Sequence, residues 1–298
     1  MRLDPVSLRL FLAVMEEGTL AKAAEREHIA ASAVSKRVSE LEQQLQATLF
    51  TRNNKGTEPT AAAQALMVLV RGVLHQLDSI PVEMRGYASG LRGHVRVAAN
   101  ISAITQFLPE QLKAFMEEFP QVQIHLQERI STAVARAVSD NDADIGLLQQ
   151  GNYGPGVRLL PYRQDELVVV ARSSHPIARQ PSTCMREVLA HDLVGAHPGS
   201  AINKLLIKAA GEAGLPLRLR IQVTSYDALS LMVSAGLGIG VMPRKSAQLF
   251  TGSQDIVCVR LDEPWAARQL CVCVRGLEAL SPAARLLVER LTAPGPGN

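Results

Sequence analysis

Residues 19–46 have the sequence TLAKAAEREHIAASAVSKRVSELEQQLQ, which predicts two helices separated by a short break. In the second helix, apolar residues recur at the spacing of one buried helical face, at Val34, Val38, Leu41 and Leu45. Ser32, Lys36 and Ser39 fall on the opposite face, with Ser35 at its edge. A helix with a short, polar and basic outer face suits docking in the major groove of DNA. An ordinary amphipathic surface helix would show the same periodicity, so this helix alone leaves both interpretations open.

The flanking segments favour the DNA-binding interpretation. Thr19 is a good N-cap for the first helix, and residues 28–30 have the length of the turn in a helix-turn-helix. Upstream, Asp4 and Pro5 predict the start of a preceding helix. Downstream, residues 49–56 (LFTRNNKG) combine an apolar anchor with a basic turn and predict a wing.

Residues 10–66 resemble the winged helix-turn-helix of LysR-type transcriptional regulators. The matching segments are FLAVMEEGTLAKAAE, AVSKRVSELEQQL and LFTRNNKGTEPTAAAQAL. The resemblance implies an all-α winged helix-turn-helix domain over residues 1–60 that binds double-stranded DNA. We expect contacts to base edges or phosphates from Ser32, Ser35 and Lys36, and mainly backbone contacts from Arg37, Arg52 and Lys55.

The chain departs from the family pattern at the start of the recognition helix. Ala31 stands where family members often have Gln, which removes a side chain that could contact a base. Ala30 replaces the usual Ser, so the helix lacks its expected N-cap. These departures affect the DNA sequence that is preferred, not the fold.

Net charge does not identify the partner. The chain carries a formal net charge of +3, and residues 1–60 contain eight Lys/Arg and eight Asp/Glu. The position of the charges is more informative than their sum, because the basic residues are expected on the side of the domain that faces the DNA groove. Binding should depend on salt, because each neutralised phosphate releases counter-ions.

Residues 61–90 predict a long linker helix. Its apolar residues follow a heptad pattern, at Leu66, Val70, Val73, Leu77 and Ile80. Such a seam needs a partner, either a second copy of the helix or the chain's own domain. The family resemblance implies a homodimer through this helix, which can assemble further into a homotetramer. Pro81 is expected to end or kink the helix near Ile80.

Composition points to a protein with substantial apolar cores. Of 298 residues, 47% are hydrophobic, yet no run of 18 apolar residues occurs and the N-terminus lacks a signal pattern. We therefore expect a cytoplasmic protein without a membrane partner. The four cysteines, Cys184, Cys258, Cys271 and Cys273, have no zinc-like spacing with histidines or a second pair, which favours buried thiols over a metal site. We expect no metal and no cofactor.

Residues 91–298 alternate strand and helix patterns, which predicts parallel sheets covered by helices. This region resembles the two-lobed α/β effector domain of the LysR type, which is similar to periplasmic solute-binding proteins. The predicted lobes are residues 91–161 with 266–298, and residues 162–265. Pro161 and Pro264-Trp265 are the expected crossover points.

Ligands of α/β sheets bind beyond the carboxyl ends of strands, where helix N-termini offer free backbone donors. Two segments have this form, residues 99–102 after one strand and residues 197–201 after another. If the lobes face each other, these segments form opposing walls of a cleft that favours an anion, most simply a small carboxylate. The predicted effector-binding residues are Asn100, Ser102, Gly199, Ser200, Ala201 and Thr224. An alternative is that Ser102 and Ser200 are only helix caps.

No residue pattern predicts an enzyme. The glycines of residues 236–240 follow a helix rather than a strand, so they lack the context of a phosphate-binding loop. We therefore expect a LysR-type regulator that binds DNA sequence-specifically under the control of a small effector. One alternative is a solute-binding or catalytic α/β protein with an incidental helical domain. A second is an architectural DNA-binding dimer without a ligand, for which the two-lobed region is larger than needed.

Overall fold

The computed structural model describes residues 3–53, 56–86 and 93–293. The chain divides into two compact units, Met1–Gly93 with Ser139–Asp142, and His94–Val138 with Ala143–Asn298. We call them the N-terminal unit and the C-terminal unit. None of the helices in the described ranges has the length and apolar character needed to cross a lipid bilayer.

The N-terminal unit contains four helices and a two-stranded hairpin: α1 (Pro5–Glu17), α2 (Leu20–Arg26), α3 (Ala31–Leu45), β1 (Phe50–Asn53), β2 (Gly56–Pro59) and α4 (Ala61–Gly86). The predicted caps are confirmed, because Asp4 accepts hydrogen bonds from the first turn of α1 and Thr19 from that of α2. Gly18 ends α1 with φ of 72°, a conformation that glycine adopts without strain. Ala30 precedes α3 without a side-chain capping bond, as its sequence predicted.

The core of the N-terminal unit lies beneath α3. Val34, Val38 and Leu41 are buried and pack in one cluster with α1 and α2, which confirms the helical periodicity. The Phe11 and Phe50 rings, with centroids 5.6 Å apart, join the hairpin to this core. Burial of apolar surface stabilises such a cluster by about 25 cal/mol per Å². Ser32 and Lys36, on the opposite face of α3, are exposed.

Helix α4 differs from its prediction in length and in which residues face outwards. It continues through Pro81 to Gly86 and so does not end near Ile80, because a proline removes only its own backbone donor while neighbouring helical bonds remain. The alternative, a kink at Pro81, stays a prediction. Two positions of the predicted seam, Leu66 and Val70, pack instead against the core of the N-terminal unit. The other three seam positions, Val73, Leu77 and Ile80, are exposed and form one apolar stripe with Leu69.

The C-terminal unit alternates strands and helices, as predicted. Its strands are β3 (Gly93–Ala99), β4 (Val122–Glu128), β5 (Ile145–Gln149), β6 (Arg158–Arg172), β7 (Ser182–Thr183), β8 (Leu193–Gly195), β9 (Leu219–Gln222), β10 (Ile239–Pro243), β11 (Ile256–Leu261) and β12 (Ala267–Val274). Its α-helices are α5 (Ile101–Gln106), α6 (Leu108–Glu118), α7 (Ser131–Ser139), α8 (Met185–Val188), α9 (Ala201–Ala213), α10 (Tyr226–Ser234), α11 (Arg244–Thr251) and α12 (Pro282–Thr292). Short 3-10 helices span Pro176–Arg179, Pro264–Ala266 and Leu277–Ala279.

Two lobes share the long strand β6. The sheet order is β4-β3-β5-β12-β6-β10-β8-β9, and β11 also pairs with β6. Residues 158–166 of β6 pair with β12 in the first lobe, and residues 167–172 pair with β10 and β11 in the second. The sheet is mixed rather than purely parallel as predicted, because β6 and β12 pair antiparallel with their neighbours. Parallel pairs remain in both lobes, β3 with β5 and β8 with β10, and the carboxyl ends of β3 and β8 lead into α5 and α9.

The chain crosses between the two lobes at positions that only partly match the two predicted crossover points. Pro161 lies within β6, beside a register shift in its partner β12, and the change of partner strand comes later, between Glu166 and Leu167. A proline is tolerated there because the irregular pairing does not need its missing donor. The chain returns to the first lobe through the 3-10 helix Pro264–Ala266, where a crossover was expected.

The glycine-rich segment is a turn from a helix into a strand, as predicted. Helix α10 ends at Ser234 and β10 begins at Ile239. Gly236 has φ of 79°, and Gly238 has φ of 151° with the carbonyl oxygen of Asp192 only 2.6 Å from where a Cβ would lie. Glycine is needed at these two positions by the backbone turn from α10 into β10, and the segment is not read as a phosphate-binding loop.

The thiols of Cys271 and Cys273 are buried in the core of the first lobe. Burial raises the pKa of Cys273 to about 12, so this thiol stays protonated and unreactive at neutral pH. Among the described residues, no group of three or more His, Cys, Asp or Glu side chains is placed to hold a metal ion.

Candidate functional site

The outer face of α3 is the first candidate site. Ser32 and Lys36 are exposed, and the Lys36 side chain, 79% exposed, lies near Glu40, with the Lys36 Nζ 3.9 Å from a carboxylate oxygen. Ser35 is half-buried at the edge of this face. A lysine this exposed, with a distant carboxylate, can turn towards a phosphate at little cost.

Arg37 has a structural contact that the sequence analysis missed. Its Nη1 donates to Asp4 Oδ2 at 2.6 Å and to Ser7 Oγ at 3.3 Å. The arginine thus ties α3 to the start of α1, which fixes the angle at which α3 is presented. Its remaining donors are on a side chain that is 43% exposed.

The hairpin is held against α3 by Glu42. Its Oε1 accepts hydrogen bonds from the backbone of Leu49 at 2.7 Å and of Phe50 at 3.1 Å. At its other end, Thr57 N donates to the carbonyl of Gly18 at 3.3 Å. Arg52 lies in β1 opposite Thr57, and the proposed wing residue Lys55 lies outside the described residues.

The second candidate site is a cavity of about 160 Å³ in the C-terminal unit. Five of the six predicted effector residues line it: Asn100, Ser102, Ser200, Ala201 and Thr224. Gly199 instead lines an adjoining cavity of about 730 Å³ that shares Ser131, Ala201 and Arg268 with the first.

The capped starts of three helices line the cavity. Asn100 caps α5, its Oδ1 accepting from the Ala103 backbone at 2.9 Å while its Nδ2 donates to Ser131 Oγ at 3.1 Å. Ser200 caps α9 and accepts from the Asn203 backbone at 3.1 Å. Ser225, beside Thr224, caps α10. Capping serines keep a second lone pair and a hydroxyl proton, so capping and ligand contact are compatible.

Ser102 is not a cap, although the sequence left that interpretation open. It is buried in the first turn of α5, and its Oγ lies 3.0 Å from the Tyr226 hydroxyl. Burial raises the pKa of Tyr226, so its hydroxyl remains a hydrogen-bond donor at any physiological pH. Arg268 Nη2 donates to the same Ser102 Oγ at 3.4 Å.

Sequence reasoning missed Tyr226, Ser131 and Arg268, which all line this cavity. Tyr226 could have been found, because it lies two residues after the predicted Thr224, at the start of the helix that follows β9. Arg268 could not, since a lone arginine in a strand gives no sign that it faces a cleft.

Comparison with known proteins identifies the family. Residues 6–64 match the family of bacterial regulatory helix-turn-helix proteins of the lysR type, and residues 88–294 match the LysR substrate binding domain. The chain belongs to the LysR family of transcriptional regulators.

Two known proteins align along nearly the whole chain, and a third aligns along about two thirds of it. The nitrogen assimilation regulatory protein nac of Klebsiella aerogenes is 26% identical over 288 residues, covering 95% of this chain and 92% of that protein. Full-length CbnR complexed with its target DNA has a TM-score of 0.68 at 22% identity, covering 97% of this chain and 99% of CbnR. The effector-binding domain of QuiR in complex with shikimate has a TM-score of 0.61 at 17% identity, covering 68% of this chain and 96% of that domain.

The LysR assignment confirms the predicted fold class and places the chain among regulators rather than enzymes. The helix-turn-helix match lies within the N-terminal unit, and the match to the substrate binding domain covers most of the two-lobed C-terminal unit.

Proposed function

We propose that this LysR-type regulator acts in the cytoplasm as a homodimer, able to form a homotetramer, whose operator affinity is controlled by a small carboxylate. Ser32, Ser35 and Lys36 contact base edges or phosphates, while Arg37, Arg52 and Lys55 mainly hold the DNA backbone. Asn100, Ser102, Gly199, Ser200, Ala201 and Thr224 form the effector site. We retain the predicted domains: 1–60 for DNA binding, 61–90 for the linker, and 91–298 for effector binding.

The observation that carries the effector proposal is the cavity into which Ser102, Thr224 and the capped start of α9 converge. The first backbone N–H groups of a 13-residue helix have no helical acceptor and carry partial positive charge. Hydroxyls beside such a helix start favour an anion. The QuiR domain is complexed with shikimate, which carries a carboxylate, and this supports a small carboxylate as the effector here.

The regulatory step is a change in the angle between the lobes. An effector that contacts Ser102 on α5 and Ser200 on α9 bridges the two lobes and stabilises one arrangement over another. The arrangement that is stabilised sets the separation of the two recognition helices and therefore which spacing of DNA half-sites fits.

A thermal-shift screen with benzoate, succinate, 2-oxoglutarate and shikimate tests the effector site. A carboxylate present at 100 times its dissociation constant should add about 2.7 kcal/mol to the free energy of unfolding, seen as a higher melting temperature. We expect Ser200→Ala to reduce this shift. Ser281→Ala is the matched control, because Ser281 also caps a helix, α12, but lies outside the cavity. Absence of any shift with all four acids would reject the carboxylate proposal and leave DNA binding untouched.

The role of Lys36 is tested by Lys36→Ala, measured on a duplex that the wild-type protein selects from a random library. If Lys36 neutralises a phosphate, the slope of log affinity against log salt should fall by about 0.9 per recognition helix, with weaker binding. Lys113→Ala is the matched control, since Lys113 is 75% exposed on α6 and lies 3.9 Å from Glu117 in the same i,i+4 arrangement. If both variants keep the wild-type affinity and salt slope, Lys36 has no part in DNA binding.

A further inference from the structure

An ion pair is buried where the two lobes join. Arg268 on β12 and Asp165 on β6 face each other in the strand register, one residue before Glu166, after which β6 passes into the second lobe. Arg268 Nη2 donates to Asp165 Oδ2, and the two side chains are only 2% and 0% exposed. Burial lowers the pKa of Arg268 to about 9, which still leaves it protonated at neutral pH.

This ion pair is only partly satisfied. Among the described residues, the buried Nε of Arg268 and the buried Oδ1 of Asp165 have no hydrogen-bond partner. A guanidinium has five N–H donors in one plane, and leaving a charged group short of partners inside a protein is costly. The unpaired Arg268 donor therefore points to an acceptor that is not part of the chain, whereas Asp165 Oδ1 would need a donor.

The surroundings indicate where such a partner would lie. Arg268 lines both the cavity of about 160 Å³ and the adjoining one of about 730 Å³. The Ser102 hydroxyl, which accepts from Arg268, lines the smaller cavity and also contacts Tyr226. Glu128 lines the cavity too, but it is exposed, so solvent screens its charge.

We infer that Arg268 is the residue that receives the carboxylate of the effector, and that Asp165 is a positioning residue that holds the guanidinium at the cleft. This inference rests on the proposed function, because it assigns the specificity of the same site. The planar guanidinium matches a carboxylate in two parallel hydrogen bonds, which a lysine cannot reproduce. When no effector is bound, Asp165 balances the charge of Arg268. The remaining N–H donors of the guanidinium are left for the effector.

The test compares each carboxylate with its neutral amide in titration calorimetry on the full-length protein, using benzoate with benzamide and succinate with succinamide. The wild-type protein should bind at least one of the two acids more tightly than its amide. In the double variant Arg268→Met, Asp165→Leu, affinity for that acid should fall by about 10- to 100-fold, while affinity for the amide should change little. A purely structural pair would leave the ratio of acid to amide affinity unchanged.

Arg268→Lys gives an independent measurement, because it keeps the buried charge but not the planar pair of donors. We expect it to keep part of the preference for the acid and to lose affinity relative to the wild type. If the double variant fails to fold, Arg268→Lys alone tests whether Arg268 binds the carboxylate. An unchanged acid-to-amide ratio in the folded variants overturns the role of Arg268 while the proposed function stands. If the wild-type protein shows no preference for either acid, this inference and the carboxylate effector both fall.

Discussion

Replacing Asp165 with alanine should lower the free energy of unfolding of the effector-binding domain by about 3–5 kcal/mol. The substitution leaves the Arg268 guanidinium, 2% exposed, without its counter-charge in a low-dielectric region. The cost is the desolvation of that charge rather than the attraction that the pair had gained. Urea unfolding of the full-length protein, with the transition of the C-terminal unit followed separately, measures the difference.

Two controls separate this cost from other effects of removing an aspartate. Asp192→Ala removes the partner of Arg220 in an exposed pair with N and O atoms 3.2 Å apart, and should cost less than about 1 kcal/mol. The double variant Arg268→Met, Asp165→Leu replaces both charges with apolar side chains and should recover most of the lost stability. Equal costs for Asp165→Ala and Asp192→Ala would show that the buried pair is not isolated from solvent.

The DNA-binding domain was readily predicted from the sequence because its signals are local. Val34, Val38 and Leu41 are separated by a helical spacing, and the structure buries all three. Asp4 and Thr19 act on backbone groups two or three residues away, so their capping roles can be deduced from neighbouring letters. What the sequence could not supply is the tertiary link from Arg37 to Asp4, which joins positions on different helices.

The same difference between local signals and long-range contacts explains which residues of the effector site could be predicted from the sequence. Asn100, Ser200 and Thr224 were found because a general rule places ligands where strands end and helices begin. The Arg268–Asp165 pair depends on the register between β12 and β6, strands about a hundred residues apart, and no local pattern encodes that register. Gly199 was assigned to the right loop but faces the adjoining cavity, because the direction of a loop residue depends on its exact turn.

The heptad of α4 was misassigned in part because a one-dimensional pattern does not distinguish two apolar faces on one helix. Val70 packs into its own domain, whereas Val73 remains 45% exposed. Packing of the helix against its own domain is thus confirmed for one face, while pairing of the exposed face with a second copy stays a prediction. The exposed face is the one that needs a partner.

Val73→Asp should convert the proposed dimer into a monomer and lower affinity for a duplex with two half-sites by at least about 100-fold. Val73 lies in the middle of the exposed stripe Leu69, Val73, Leu77 and Ile80, which covers an arc of about 80° at roughly 100° per residue. In a symmetric dimer the stripe meets its own copy, so one substitution places two carboxylates in the same apolar interface. Once the copies separate, each recognition helix binds alone and the gain from joint binding, about 10²–10⁴-fold, is lost.

Leu249→Asp is the matched control for this effect. Leu249 is a 66% exposed leucine on α11, so its substitution adds a charge to an apolar surface outside α4. Sedimentation of both variants gives the oligomeric state, and titration of duplexes with one and with two half-sites gives the affinities. The Val73 variant should bind a single half-site as the wild-type protein does, because α3 and its core contacts are unchanged. A Val73→Asp protein that remains a dimer would show that the stripe on α4 is covered by something other than its own copy.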